Sequence, residues 1–241
     1  MRGYLKNDSY FLEKLSKNDV EVENYESLVN RVLAEKGEND RGVQMGFAIL
    51  NATYKKRINL LYTVGTRDDE IKVNYERWLR YYARTWRPED DYFALIKVLS
   101  LAILLDVSSS NESMSELEEK IKKSGINDYL IDLFLSKIDN KWKRNAQTFI
   151  WEDTYQPLKE VAECSNGSEA LSKLKTYLSD QWYDIHDECE WYDSHKTSAF
   201  YGYWSFEAAA LVKILNLDDK TLQNQDYYPY DLVHKSGECN G

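Results

Sequence analysis

Apolar residues recur along this chain at spacings of three and four, the period of a helix with one buried face. In residues 9–36 they are Phe11, Leu15, Tyr25, Leu28 and Val32, with breaks, and Gly37 stands where a helix should end. Residues 43–64 carry Phe47, Leu50, Tyr54, Ile58 and Leu61. Asp68 and Asp69 then suit a helix N-terminus, which favours negative charge. That third helix should run to about Trp86 and stop before Pro88, because the residue preceding a proline avoids the helical region. Residues 92–105, YFALIKVLSLAILL, are apolar almost all round. The run is too short to span a bilayer and contains Lys97, so it predicts the buried central helix of a first domain.

Residues 107–115, VSSSNESMS, form the clearest linker, and Ser115 with Glu118 predicts a capping box for the next helix. Helices are then expected near 116–123, 127–138, 145–162, 168–193 and 204–216. Asp218 is placed to cap a last short turn, and Asp231 to cap another after Tyr-Pro-Tyr. There is no repeat at a solenoid period. Only 10 Gly and 3 Pro argue against a turn-rich β architecture. The expectation is an all-α protein of two helical subdomains, 1–106 and 116–241 about a 107–115 linker, packed into one elongated or compact helical body.

Charge sharpens the division. The formal net charge is −10. Residues 1–106 hold 17 basic and 17 acidic side chains, and residues 107–241 hold 14 and 24, so the whole excess lies in the second half. Such a surface repels a polyanion, which excludes a general nucleic-acid binder and favours a basic partner. Cys164, Cys189 and Cys239 are odd in number and widely spaced, with no disulfide framework, and the N-terminal stretch has no long apolar run. A cytoplasmic, reduced protein with no membrane segment is expected.

Residues 168–193 are the most informative. On a wheel of 100° per residue, Leu171, Leu174, Leu178, Trp182, Ile185, Cys189 and Tyr192 share one face, while Asp180, Asp184, Asp187 and Trp191 lie opposite. From Asp180 to Asp193 there are six acids and no Lys or Arg. A solvated helix face ordinarily mixes signs, because like pairs at i,i+4 cost roughly 0.2–0.5 kcal/mol each. Two readings stay open. Another subdomain covers Trp191 and the acids serve solubility, or Asp180, Asp184, Asp187, Glu188, Glu190 and Trp191 form a protein-binding patch with an aromatic anchor ringed by charge.

Chemistry is poorly represented. His186, Cys189 and His195 match no strong zinc spacing, and no metal or cofactor site is assigned. The chain has no GxSxG, P-loop, HExxH or GxGxxG, and only three His. Arg77, Arg80, Arg84 and Arg87 make a basic stripe on the third helix; of a phosphate-binding face, a solvated face and an internal contact with the acidic half, the last two are favoured. Glu207, inside an apolar helix, is a candidate buried charge with Tyr201, Tyr203, Tyr227, Tyr228 and Tyr230 as possible donors.

The stretches YGYWSFEAAALVKILNLDD (201–219), YYPYDLVH (227–234) and LSKLKTYLSDQWYD (171–184) resemble the C-terminal domain of the PoNi family. LKNDSYFLEKL (5–15), WLRYYARTW (78–86) and ALIKVLSLAILLD (94–106) are similar to its N-terminal domain, more diffusely, and the serine linker is placed where the two domains meet. The resemblance implies a helical, non-enzymatic immunity protein. It would stay in the cytoplasm and neutralise a cognate DNase toxin delivered between bacteria by specialised secretion systems. It brings no catalytic residues with it. Tyr203, Trp204, Glu207, Tyr228, Pro229, Tyr230 and Asp231 are candidates for serving the fold rather than the interface. A DNase must present a basic surface to DNA, so an acidic stripe fits such a partner. The rival readings are a metal-dependent hydrolase using the His186–His195 region and a helical interaction scaffold.

Overall fold

Ten α-helices and no strand form among the described residues of the computed structural model, which are 2–3, 5–90 and 92–234. They are α1 (Asp8–Lys36), α2 (Arg41–Val64), α3 (Asp68–Thr85), α4 (Tyr92–Leu104), α5 (Glu112–Ser124), α6 (Tyr129–Ile138), α7 (Glu152–Ala162), α8 (Gly167–Thr176), α9 (Phe206–Leu215) and α10 (Tyr230–Val233). The fold class is all-α, as the periodicity predicts. Among the described residues no helix is long and apolar enough to cross a membrane.

The chain divides into two compact units. The first comprises Met1–Arg87, Glu112–Leu117 and His195–Gly202. Here α2 packs between α1 and α3. Asn7 caps α1 and Asp40 caps α2. Gly65, in the left-handed region at φ 87, ends α2 by donating to Tyr62 O, while Thr66 N reaches Leu61 O. At Gly46 a Cβ would come within 2.3 Å of Val29 Cγ2, so the close approach of α1 and α2 needs glycine there. Arg57 ties the three helices by donating to Asn74 Oδ1 (2.7 Å), Asn18 Oδ1 (3.1 Å) and Asp19 Oδ1. Residues 195–202 return to this unit. Tyr10 OH donates to Ser198 O and Phe200 O, Thr63 Oγ1 donates to Tyr201 O, and Phe200 is buried against Phe11.

The second unit comprises Pro88–Asn111, Glu118–Ser194 and Tyr203–Gly241. Its centre is α4, packed against α9 and α6. A helix apolar all round is covered on several sides, and the covering helices come from the second half of the sequence. By compactness α4 lies in the second unit, and the chain passes back to the first at Glu112–Leu117 and His195–Gly202.

Several local expectations are corrected by hydrogen bonding. Helix α5 already begins at Glu112, so Ser115 lies inside it and makes no N-cap, and the predicted linker shrinks to residues 107–111. The expected helix at 145–162 begins only at Glu152. Buried carboxylates claim the preceding backbone. Asp132 Oδ2 accepts from Asn145 N (2.8 Å) and Ala146 N (2.9 Å), and Asp128 Oδ2 accepts from Ile150 N (2.9 Å). Asp128 also caps α6 through Leu130 N and Ile131 N, and takes the Tyr92 hydroxyl at 2.7 Å. Asp218 makes no side-chain cap, and Asp231 lies within α10 after Pro229. The tail is instead tied by buried Asp219, which accepts from Tyr228 OH (2.5 Å) and His234 Nε2 (2.6 Å). The acidic excess is thus partly internal: Glu118, Asp128, Asp132, Glu207 and Asp219 are all buried.

Candidate partner-binding surface

The acidic segment begins where α8 ends. Asn166 caps α8 through Ser168 N and Glu169 N, and regular helix stops at Thr176. Residues Tyr177–Gln181 form a π turn, in which Trp182 N reaches back to Tyr177 O at 2.7 Å. A π turn adds a residue to the helical repeat and is common where function displaces regular packing. A 3₁₀ turn at Asp184–His186 follows, then irregular turns to Asp193, which takes a left-handed φ of 56.

The expected continuous helix at 168–193 is therefore absent beyond Thr176, and the 100° wheel does not hold there. Trp191 is not opposite the apolar stripe. Its ring stacks on Trp182 at 5.1 Å and 16°, and lies 5.2 Å from Tyr203 and 5.5 Å from His186. It is half-buried. The acids fare differently. Asp180, Asp184, Asp187, Glu188 and Glu190 are all exposed, and none takes part in an ion pair among the described residues. Asp193 is drawn in, accepting from Tyr183 OH at 2.9 Å.

What turns the aromatic side chains inward is Glu207, in the first turn of α9. Its Oε1 accepts from Trp182 Nε1 (2.6 Å), Ser205 Oγ (2.6 Å) and Tyr177 OH (3.4 Å). These donors, and not the five tyrosines expected from sequence, satisfy the buried carboxylate. The helix N-terminus adds favourable partial charge. Burial, with the Glu207 charge second, pushes the Tyr177 phenol well above its ordinary range, so it remains a donor. Tyr227 contacts Trp182 at 4.7 Å from a backbone φ of 65, unusual for a bulky residue. Its carbonyl accepts from Ser205 N at 2.8 Å, which pins the tail to the start of α9.

The histidine region offers no free ligand set. His186 is buried. Its Nδ1 lies 2.6 Å from Trp182 O, an acceptor only, so Nδ1 donates and Nε2 is left to accept from Tyr155 OH at 3.4 Å. Burial pushes the imidazole below its ordinary range, opposed by the Glu207 charge and the Trp182 carbonyl. Cys189 is buried, and His195 belongs to the first unit. Cys239 lies outside the described residues. Among the described residues no group of three or more His, Cys, Asp or Glu could hold a metal ion.

Three of the stripe's four arginines, Arg77, Arg80 and Arg84, have contacts within the first unit. Arg84 Nε pairs with Glu38 Oε1 at 2.8 Å, Arg77 Nη1 lies 3.9 Å from Glu26 Oε2, and Arg80 lies over the Tyr81 ring. Glu26 and Glu38, the partners of Arg77 and Arg84, lie in α1 and the turn after it.

Comparison with known proteins assigns both parts of the chain. A family model described as PoNe immunity protein (PoNi), N-terminal, matches residues 2–118. One described as PoNe immunity proteins (PoNi), C-terminal, matches residues 126–232. The two meet after the serine-rich segment, between residues 118 and 126. No curated protein matches the chain. Among solved structures, protein PA2201 from Pseudomonas aeruginosa is similar at a TM-score of 0.61 and 18% identity, over 90% of this chain and 87% of that one. At that identity the likeness is one of fold.

Proposed function

The chain belongs to the PoNe immunity protein family, PoNi, and from that premise we propose that it neutralises a DNase toxin by binding it and covering the basic surface that would hold DNA. The observation that carries the mode of binding is the run of exposed acids Asp180, Asp184, Asp187, Glu188 and Glu190, without a cation among them. Charge of one sign on one side of a protein steers an oppositely charged partner and raises association rates by about 10- to 1,000-fold at low salt. Buried ring contacts and the Glu207 hydrogen bonds hold the segment, so these acids are presented by a fixed scaffold.

The protein acts by occupancy and not by catalysis, in the cytoplasm of the cell that makes the toxin or of its kin. A metal-hydrolase role has little to build on, because both ring nitrogens of His186 are already in hydrogen bonds. The test is co-expression with the DNase-like product of the neighbouring gene. Rescued growth and a stable complex are expected. Absence of both rescue and binding would overturn the immunity reading.

A further inference from the structure

Sequence reasoning places an acid-ringed tryptophan at Trp191, but that ring is spent on Trp182. The structure presents another. Ile150 and Trp151 are adjacent, with 49% and 41% of their surfaces exposed. Large apolar side chains cost about 25 cal/mol for each Å² left in water, and two side by side are a common mark of an interaction site.

This pair is anchored at two points. Ile150 N donates to Asp128 Oδ2, the buried carboxylate that also caps α6. The Trp151 ring rests on Phe93 at 5.6 Å. Phe93 in turn lies 5.3 Å from His186, the residue beside Asp187 and two after Asp184. Two ring contacts thus join Trp151 to the acidic segment, all within the second unit. Glu152 and Asp153, the first residues of α7, are exposed next to Trp151. Of the nearby cations, Arg144 and Lys159 both lie over the Tyr129 ring, while Lys143 is exposed.

We propose that Ile150 and Trp151 are the apolar anchor of the toxin interface, inserted into an apolar recess of a basic protein surface. Glu152, Asp153, Asp184 and Asp187 make the acidic border that meets its cations. This rests on the immunity reading and adds the residues that hold the complex once formed. A preordered Trp loses little side-chain freedom on binding, and such residues dominate interface energetics. The division of labour is definite: the acids govern encounter and the apolar pair governs dissociation.

The experiment measures binding of the DNase-like product of the neighbouring gene to wild-type protein and to the Ile150→Ser, Trp151→Ala variant, at several salt concentrations. The variant is expected to stay folded with a lowered urea midpoint, since the Trp151 ring also rests on Phe93, and to bind about 30-fold or more weakly, almost all of it in faster dissociation. Its salt dependence should match wild type. If wild type binds and the folded variant binds equally well, the anchor is wrong and the immunity reading stands. If wild type itself does not bind, both fall. A wild-type dimer that the double variant dissociates, with toxin affinity unchanged, would assign the pair to self-association and overturn the proposal.

Discussion

The Trp191 indole lies 5.1 Å from that of Trp182 and only 16° from parallel, so a residue that looks like an exposed anchor is part of the packing beneath the acidic segment. Offset or stacked aromatic pairs are worth about 0.5–1.5 kcal/mol beyond area burial. Trp191→Ala should therefore lower stability, by about 2–3 kcal/mol for a half-buried Trp, and Trp191→Phe by less. Urea unfolding checks this. Unchanged stability with weakened toxin binding would return Trp191 to the interface.

Glu207 collects the donors of three residues on one oxygen. Glu207→Ala leaves Trp182 Nε1 and two hydroxyls buried without a partner, at about 1–3 kcal/mol each when unsatisfied. A loss of roughly 3 kcal/mol or more is expected, with Glu207→Gln milder because its carbonyl can still accept. Near-wild-type unfolding of the alanine variant would show that these bonds are not what holds the segment.

The exposed acids should separate binding from folding. Asp184→Lys with Asp187→Lys should shift stability by no more than about 0.5 kcal/mol, as surface changes usually do. Toxin association should slow by about tenfold or more at low salt, with the difference shrinking as salt rises. If rate, affinity and salt dependence all stay at wild-type values, the acids serve only solubility.

Glu118 is buried, and its Oε1 has no hydrogen-bond partner. Burial first, and the Asp139 charge second, push its carboxyl up to about 7 from 4.5. An acid with a raised folded-state pKa holds its proton more tightly folded than unfolded. Its penalty is absent below about pH 4.5, grows as pH rises, and is complete above about 7. Glu118→Gln should therefore stabilise the protein at pH 8 by about 1–3 kcal/mol and change little at pH 4.5, given about 1.4 kcal/mol per pKa unit. Equal unfolding midpoints for the two proteins at pH 8 would contradict this.

His186 behaves in the opposite sense. Its pKa is lowered by burial, so the unfolded chain binds the proton more readily. Its contribution to stability is present above the ordinary value of 6.5 and is lost as pH falls below it. An NMR titration should find the His186 midpoint below the ordinary value of 6.5. A midpoint at or above 6.5 would mean that the ring is charged in the fold.

Much of the fold is legible because helical periodicity survives wherever a helix packs by one face. Leu50, Tyr54, Ile58 and Leu61 line the buried face of α2 as their spacing requires. Capping also reads locally, as at Asp40 before α2. The wheel breaks down after Thr176 for a reason no periodicity carries: Glu207, 25 residues beyond Trp182, supplies the acceptor that draws the indole in. The same holds for the late start of α7, set by Asp128 and Asp132 capturing the backbone of residues 145–150.

The all-helical class, most helix positions, the acidic second half and the family resemblance were present in the order of residues, since each depends on local spacing or composition. Which carboxylates are buried and which face solvent depended on distant donors, and so only the tertiary structure decided it. It also decided that Trp191 is half-buried against Trp182 and that Ile150 and Trp151 are exposed. A tryptophan's burial depends on what the rest of the chain brings against it, and neighbouring residues in the sequence carry no record of that.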